Sequence, residues 1–194
     1  MSFSPAFSRL LVANIFTNLA DGLSATAFPL LAISLTKDPV LISLTGALTT
    51  LPWLFFAMAI GAIVDGTDKR KALAFANTLR ALMAAAISIL ISSHKLNIYF
   101  LLVLVFVIGI AEVLADITSQ TIIPAVVSEA ELEKANSRLE LTFTVIQNFV
   151  GVPIGSFLYA IAMVVPFISN SAGFALAALL CLSIPIQSLP KEQG

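Results

Sequence analysis

Residues 98–122 read IYFLLVLVFVIGIAEVLADITSQTI, and this stretch decides the fold. Its first half contains no charged side chain, and its length is sufficient for a helix that crosses a bilayer. Such a crossing takes around 20 mainly apolar residues, because the hydrocarbon core is about 30 Å thick. Lipid offers no hydrogen bonds to exposed backbone groups, so a helix is the expected conformation. The stretch therefore predicts a transmembrane helix.

Five more apolar stretches of similar length flank this one on both sides. The 194 residues are 59% hydrophobic and 11% charged, whereas a soluble domain carries roughly 25% charged residues. We therefore expect an all-α integral membrane protein with six transmembrane helices. Residues 1–190 are predicted to form a single domain, and residues 191–194 the start of a linker or tail. The predicted helices span residues 10–35, 41–64, 72–92, 98–122, 139–164 and 167–186.

Basic side chains collect at one predicted end of the helices. Cytoplasmic loops of membrane proteins carry an excess of lysine and arginine, and only Lys37 and Lys95 lie at the opposite end. Both termini are therefore predicted to be cytoplasmic, in a multi-pass protein of the plasma membrane. The basic residues at the predicted cytoplasmic end are Arg9, Lys69, Arg70, Lys71, Lys134, Arg138 and Lys191.

Composition also argues against several classes of function. The net charge of −1 and the lack of a basic patch interleaved with aromatic residues argue against a nucleic-acid partner. A single cysteine, Cys181, rules out an intrachain disulfide and a cysteine metal cluster. No metal-ligand set, catalytic triad or phosphate-binding glycine loop is visible. We expect no enzyme activity, cofactor or metal, and the lipid bilayer as the first partner.

The loop between the second and third predicted helices reads GAIVDGTDKRK over residues 61–71. It resembles the loop G-x-x-x-D-[RK]-x-G-[RK]-[RK]-[RK] that marks the major facilitator superfamily, with Gly66 and Asp68 as the two departures. In that superfamily the loop acts as a latch, and Asp116 is expected to receive Lys69 or Arg70. The resemblance implies a gating role for Gly61, Asp65, Lys69, Arg70, Lys71 and Asp116.

Two further segments are similar to helices four and five of a drug-exporter-like subgroup, related to macrolide and siderophore efflux proteins. They are residues 111–139 and the sequence GVPIG at residues 151–155. The resemblance implies the amino-terminal six-helix half of a transporter that works by alternating access between two such halves. We expect an efflux-type transporter of small amphipathic solutes. The alternative is a non-transporting remnant or a packing partner of a second six-helix half. An isolated half is expected to self-associate.

Polar side chains at membrane depth are the candidate functional residues. Charges there cost about 2.5–3.5 kcal/mol on insertion scales and normally face a bundle interior or a water-filled cavity. Asn14, Asn18 and Asp21 follow i, i+4, i+7 spacing and therefore share one helical face. They are predicted to line a cavity that contacts solute or a proton, with interhelical hydrogen bonding as the alternative. A second polar stripe on the fifth predicted helix has similar spacing and is predicted to line the same cavity; it comprises Glu140, Thr144, Gln147 or Asn148, and Gly151.

Two further pairs are predicted to hold helices together. Arg80 and Glu112 lie at similar depth in the third and fourth helices and are expected to form a buried ion pair, with a proton relay as the alternative. Gly151 and Gly155 form a small-x-x-x-small step that permits close helix approach. Trp53 is expected to be an ordinary lipid-facing or interfacial aromatic residue.

Overall fold

The structure is a computed structural model that describes residues 4–185. The described residues form six helices, each long and apolar enough to cross a membrane, and none of them lies in a β-strand. The predicted all-α fold of six spans is therefore confirmed. The helices are α1 (Pro5–Leu35), α2 (Pro39–Asp65), α3 (Lys69–Ser92), α4 (Ile98–Val126), α5 (Glu129–Ile161) and α6 (Val165–Leu182).

Capping side chains set where the first four helices begin. The side-chain oxygens of Ser4, Asp38, Asp68 and Asn97 each accept a hydrogen bond from a backbone N–H in the first turn of the helix that follows. Such caps satisfy donors that have no partner inside the helix. The cap at Ser4 explains why α1 begins before residue 10, the predicted start.

The fifth helix differs most from its predicted bounds of 139–164. Ser128 and Glu131 form a capping box, in which the Ser128 backbone N–H donates to Glu131 Oε2 at 3.5 Å, and the Ser128 hydroxyl also donates to this oxygen at 2.8 Å. This cap starts a helix at residue 129, so the acidic segment expected to connect α4 and α5 belongs to α5 itself. A turn at residues 162–164 then separates α5 from α6. The predicted tail at 191–194 lies outside the described residues.

The helix α1 lies at the centre of the packing. It contacts α5 and α6 most extensively, while α2 packs on α4 and α3 packs on both α4 and α6. In the most apolar window of α2 and of α5, only 17% of residues are buried, compared with 39% to 50% in the other four helices. These two helices therefore expose most of their apolar surface.

One end of the bundle carries the arginine contacts that hold α6 in place. Arg9 on α1 donates a hydrogen bond to the carbonyl of Ser183, and Arg70 Nη1 on α3 donates to the carbonyl of Ile184 at 3.3 Å. Carbonyls at the end of a helix lack intrahelical donors, so the two guanidinium groups satisfy them. That this end faces the cytoplasm stays a prediction.

Candidate functional site

Two cavities adjoin on the face formed by α1, α2, α4 and α5. The larger, about 690 Å³ and here called the end cavity, extends toward the end of the bundle that carries the arginine contacts. The smaller, about 330 Å³, lies near the middle of the helices and is called the central cavity. Trp53 on α2 lines both cavities. The two cavities thus share one wall residue, and polar side chains contribute to the lining of both.

Asp21 of the central cavity is held by a buried arginine. Arg80 on α3 is completely buried, donates a hydrogen bond from Nη2 to Asp21 Oδ1, and lies with its guanidinium carbon 4.0 Å from the ring centroid of Phe174 on α6. Its Nε and Nη1 have no hydrogen-bond partner among the described residues. The Asp21 side chain is 12% exposed and lines the cavity. Arg80 is completely buried and does not line the cavity, so Asp21 lies nearer to it than the arginine does.

The buried ion pair is therefore Arg80 with Asp21, and not Arg80 with Glu112 as predicted from the sequence. Spacing along α3 and α4 gives similar depths for Arg80 and Glu112, but depth does not say which neighbour a side chain faces. The Arg80 side chain runs past Phe174 toward α1. Glu112 instead lines the central cavity, as Asp21 does.

Asn14 and Asn18 take part in a hydrogen-bond network between α1, α4 and α5. Asn18 Nδ2 donates to Asn14 Oδ1 at 2.6 Å, and the Thr142 hydroxyl donates to the same oxygen at 2.8 Å. Asn14 Nδ2 donates to the Ser119 hydroxyl at 3.3 Å. Both asparagines also line the end cavity. Both asparagines therefore belong to a hydrogen-bond network between helices and to the wall of a cavity.

The polar stripe predicted on α5 does not share one face. Residues Thr142–Gly151 are wound as a π-helix, whose hydrogen bonds run from i to i+5, so the α-helical spacing assumed for the stripe does not hold. Gln147 lines the central cavity. Thr144 and Asn148 are exposed and do not line either cavity, and the Asn148 amide donates to the carbonyl of Phe143 at 3.4 Å.

In the loop between α2 and α3, the side-chain hydrogen bonds of Lys69 and Arg70 are local, apart from the hydrogen bond of Arg70 to the Ile184 carbonyl. Lys69 Nζ donates to the carbonyl of Val64 at 3.3 Å, at the end of α2. Arg70 pairs with Asp68, with Nη2 3.1 Å from Oδ2, and this hydrogen bond lowers the pKa of the Asp68 carboxyl group. Asp65 and Lys71 are exposed, and Gly61 is half-buried with open space where a Cβ would lie.

Asp116 is therefore not the partner of this loop that the sequence predicted. It lines the end cavity, together with Asn14 and Ser119. Asp68 stands where the family loop usually has glycine, and it captures Arg70 from two residues away. Arg70 thus pairs with Asp68 and with the Ile184 carbonyl, and not with Asp116.

The backbones of α1 and α5 approach through glycine. A Cβ on Gly151 would lie 2.8 Å from the Cα of Gly22, and a Cβ on Gly155 would lie 2.6 Å from the Thr26 hydroxyl. Contacts below 3.0 Å require the backbone to move when they involve backbone atoms. Gly22 was missed by the sequence analysis, because a single glycine in an apolar helix has no pattern that marks it as a contact.

Other cavity residues were also missed. Trp53 was expected to face lipid or the interface, yet it lines both cavities. Ser119 and Gln120 line the end cavity, as does Glu140, which the sequence had already placed on the second polar stripe. Ser119 and Gln120 lie on the i+3 and i+4 positions after Asp116, which was the available signal; Trp53 offered none.

A bundle of six membrane-length helices that encloses carboxylates, amides and hydroxyls in cavities at membrane depth defines a polytopic transport protein. The sequence model of the Major Facilitator Superfamily matches residues 10–193, so the chain belongs to this superfamily. Its members are membrane transporters of small solutes rather than enzymes, and the six-helix bundle is consistent with one half of their fold. No curated protein and no solved structure matches the chain.

Proposed function

We propose that this chain exports small amphipathic solutes across the plasma membrane by alternating access, with the central and end cavities as part of the solute path. The wall that the two cavities share at Trp53 carries the proposal, because it places a space near the middle of the helices next to one that extends to an end of the bundle. Similarity of residues 111–139 and 151–155 to drug-exporter-like proteins supports the export direction. The arginine-bearing end is then the cytoplasmic one.

A second six-helix half, or a second copy of this chain, is the proposed partner. The cavities are walled by α2 and α5, and these helices expose large apolar side chains. A role as a packing partner without transport is the competing proposal, and the same exposed surface favours it. The exposed apolar residues on these two helices include Leu54, Phe55, Met58, Phe149 and Phe157.

Transport should depend on the cavity residues. In cells loaded with one cationic and one neutral hydrophobic dye, expression of the chain, alone or with a second six-helix half, is expected to lower dye retention. Trp53→Ala should reduce the export rate about tenfold, a loss of roughly 1.4 kcal/mol of transition-state stabilisation, because it removes the wall shared by both cavities. Glu133→Gln, exposed near the start of α5, is the matched control and should leave the rate unchanged. Equal retention of both dyes with and without the chain, under either expression condition, would favour the packing-partner role.

Orientation can be measured with single cysteines. In a Cys181→Ala background, we expect Lys71→Cys to react with a membrane-impermeant maleimide only when the cytoplasmic face is accessible, as in inside-out vesicles. Lys95→Cys, at the other end of α3, about 36 Å away for 24 helical residues, is the control and should react only from the outside. The reverse pattern would invert the proposed topology.

A further inference from the structure

We propose that the solute bound in the central cavity is a small organic cation with an apolar body. This inference rests on the proposed transport function and adds the chemical class of its substrate. It follows from the charges on the cavity walls, from the position of the one nearby arginine and from the aromatic groups beside the carboxylates.

Acidic groups line the solute path without basic ones. Asp21 and Glu112 line the central cavity, and Asp116 and Glu140 line the end cavity. No lysine, arginine or histidine lines either cavity, as far as the described residues go. The charged side chains that line the two cavities are therefore all carboxylates among the described residues, and cavities walled by one sign of charge concentrate ligands of the opposite sign.

The arginine near the central cavity bonds directly to only one of the two carboxylates that line it. Arg80 is bonded to Asp21 and is completely buried, so its remaining donors do not reach a solute in the cavity. Glu112 makes no hydrogen bond or ion pair within 4.0 Å in the part of the chain that the structure describes, although it lies close enough to interact electrostatically with Arg80. A charge at this depth needs a counter-ion, and a cationic solute beside Glu112 would supply it.

The remaining walls favour an organic cation over a hydrated metal ion. Trp53 and Phe28 place aromatic rings at the cavity, and ring faces attract cations. Pro29 has no N–H, so the Ala25 carbonyl lacks its usual helical donor, and both residues line the cavity. Val105 adds an apolar wall. The volume of about 330 Å³ is at the lower end of the range for small-molecule sites.

The single tryptophan gives a direct measurement, because Trp53 lies in the cavity wall. Three quenchers share one pyridine ring and differ in charge: 1-methylnicotinamide is cationic, nicotinamide is neutral and nicotinate is anionic. With the full chain in lipid nanodiscs, we expect saturable quenching by 1-methylnicotinamide at a concentration at least about tenfold lower than for the other two. Equal or tighter saturation by nicotinamide or nicotinate would overturn the inference, as would non-saturable quenching by all three.

Variants test whether the Glu112 carboxylate is responsible for the charge-selective binding. Glu112→Gln preserves the shape of the side chain and should weaken saturation by the cation about tenfold, while nicotinamide should be unaffected. Glu133→Gln should leave all three quenching curves unchanged. Unaltered cation binding in Glu112→Gln would contradict the inference. Charge-selective binding without any dye export would refute the proposed transport function alone, whereas export with no charge selectivity would refute only the substrate class.

Discussion

Asp21→Asn is expected to lower the free energy of unfolding by about 3–5 kcal/mol, the largest effect anticipated for a single conservative change, because it strands a buried charge. Arg80 is completely buried and its only ion pair among the described residues is with Asp21. The neutral amide keeps the size of the side chain but removes the counter-charge. The ring of Phe174 compensates only in part, since a cation–π contact contributes about 0.5–2 kcal/mol.

The double variant Asp21→Asn/Arg80→Met tests this explanation by unfolding titration in mixed micelles. Replacing a buried ion pair by groups without charge is often neutral or even stabilising, so the double variant should recover most of the stability that Asp21→Asn loses. Glu112→Gln is the matched control and should change stability by less than about 1 kcal/mol. A large loss in Glu112→Gln, with little in Asp21→Asn, would restore the pairing predicted from the sequence.

The number of helices and the grouping of basic residues at one end of them were predictable, because both follow from local sequence. An apolar run of membrane length must become a helix wherever it meets lipid. Thus α2, α3 and α4 begin within three residues of their predicted starts at 41, 72 and 98. The start of α5 was missed by ten residues because the polar segment 129–138 is helical for a different reason, the capping box at Ser128.

Side-chain partners were harder to predict, because they depend on the rotation of each helix about its axis. The sequence placed Arg80 at the correct depth, but only the packing of α3 on α6 directs it past Phe174 to Asp21. The prediction that the polar stripe on α5 shares one face was wrong for a related reason. Its residues were assigned to one face with 3.6 residues per turn, whereas residues 142–151 are wound as a π-helix.

The family resemblance gave the correct superfamily but did not give the contacts of its loop. The basic triplet at residues 69–71 fits the family pattern, yet Arg70 bonds to Asp68 and to the end of α6. A motif records which residue types recur, and it does not record which side chains touch. Asp116 lines the end cavity.

The second large effect on stability is expected at the contact between α1 and α5. Gly22→Ala is expected to destabilise the protein by about 1–3 kcal/mol, the usual cost of overpacking. The added Cβ would lie 2.3 Å from the carbonyl oxygen of Gln147 and 2.7 Å from the Cα of Gly151. Both are backbone atoms, so no side-chain rotation relieves the clash and the two helices must separate.

Gly46→Ala on α2 is the matched control, since nothing lies within 4 Å of the position its Cβ would take. Alanine is favoured over glycine in a helix by up to about 1 kcal/mol, so this variant should be as stable as the parent or slightly more stable. The same unfolding titration compares the two variants. Separation of α1 from α5 would also displace Asp21, the residue before Gly22, and Gln147 on the opposite wall of the central cavity. Gly22→Ala should therefore weaken quenching of Trp53 by 1-methylnicotinamide as well as stability. Gly46 itself lines the central cavity, so Gly46→Ala is the control for stability only, and Glu133→Gln is the control for quenching. Equal stability of Gly22→Ala and Gly46→Ala would show that α1 and α5 do not meet at Gly22.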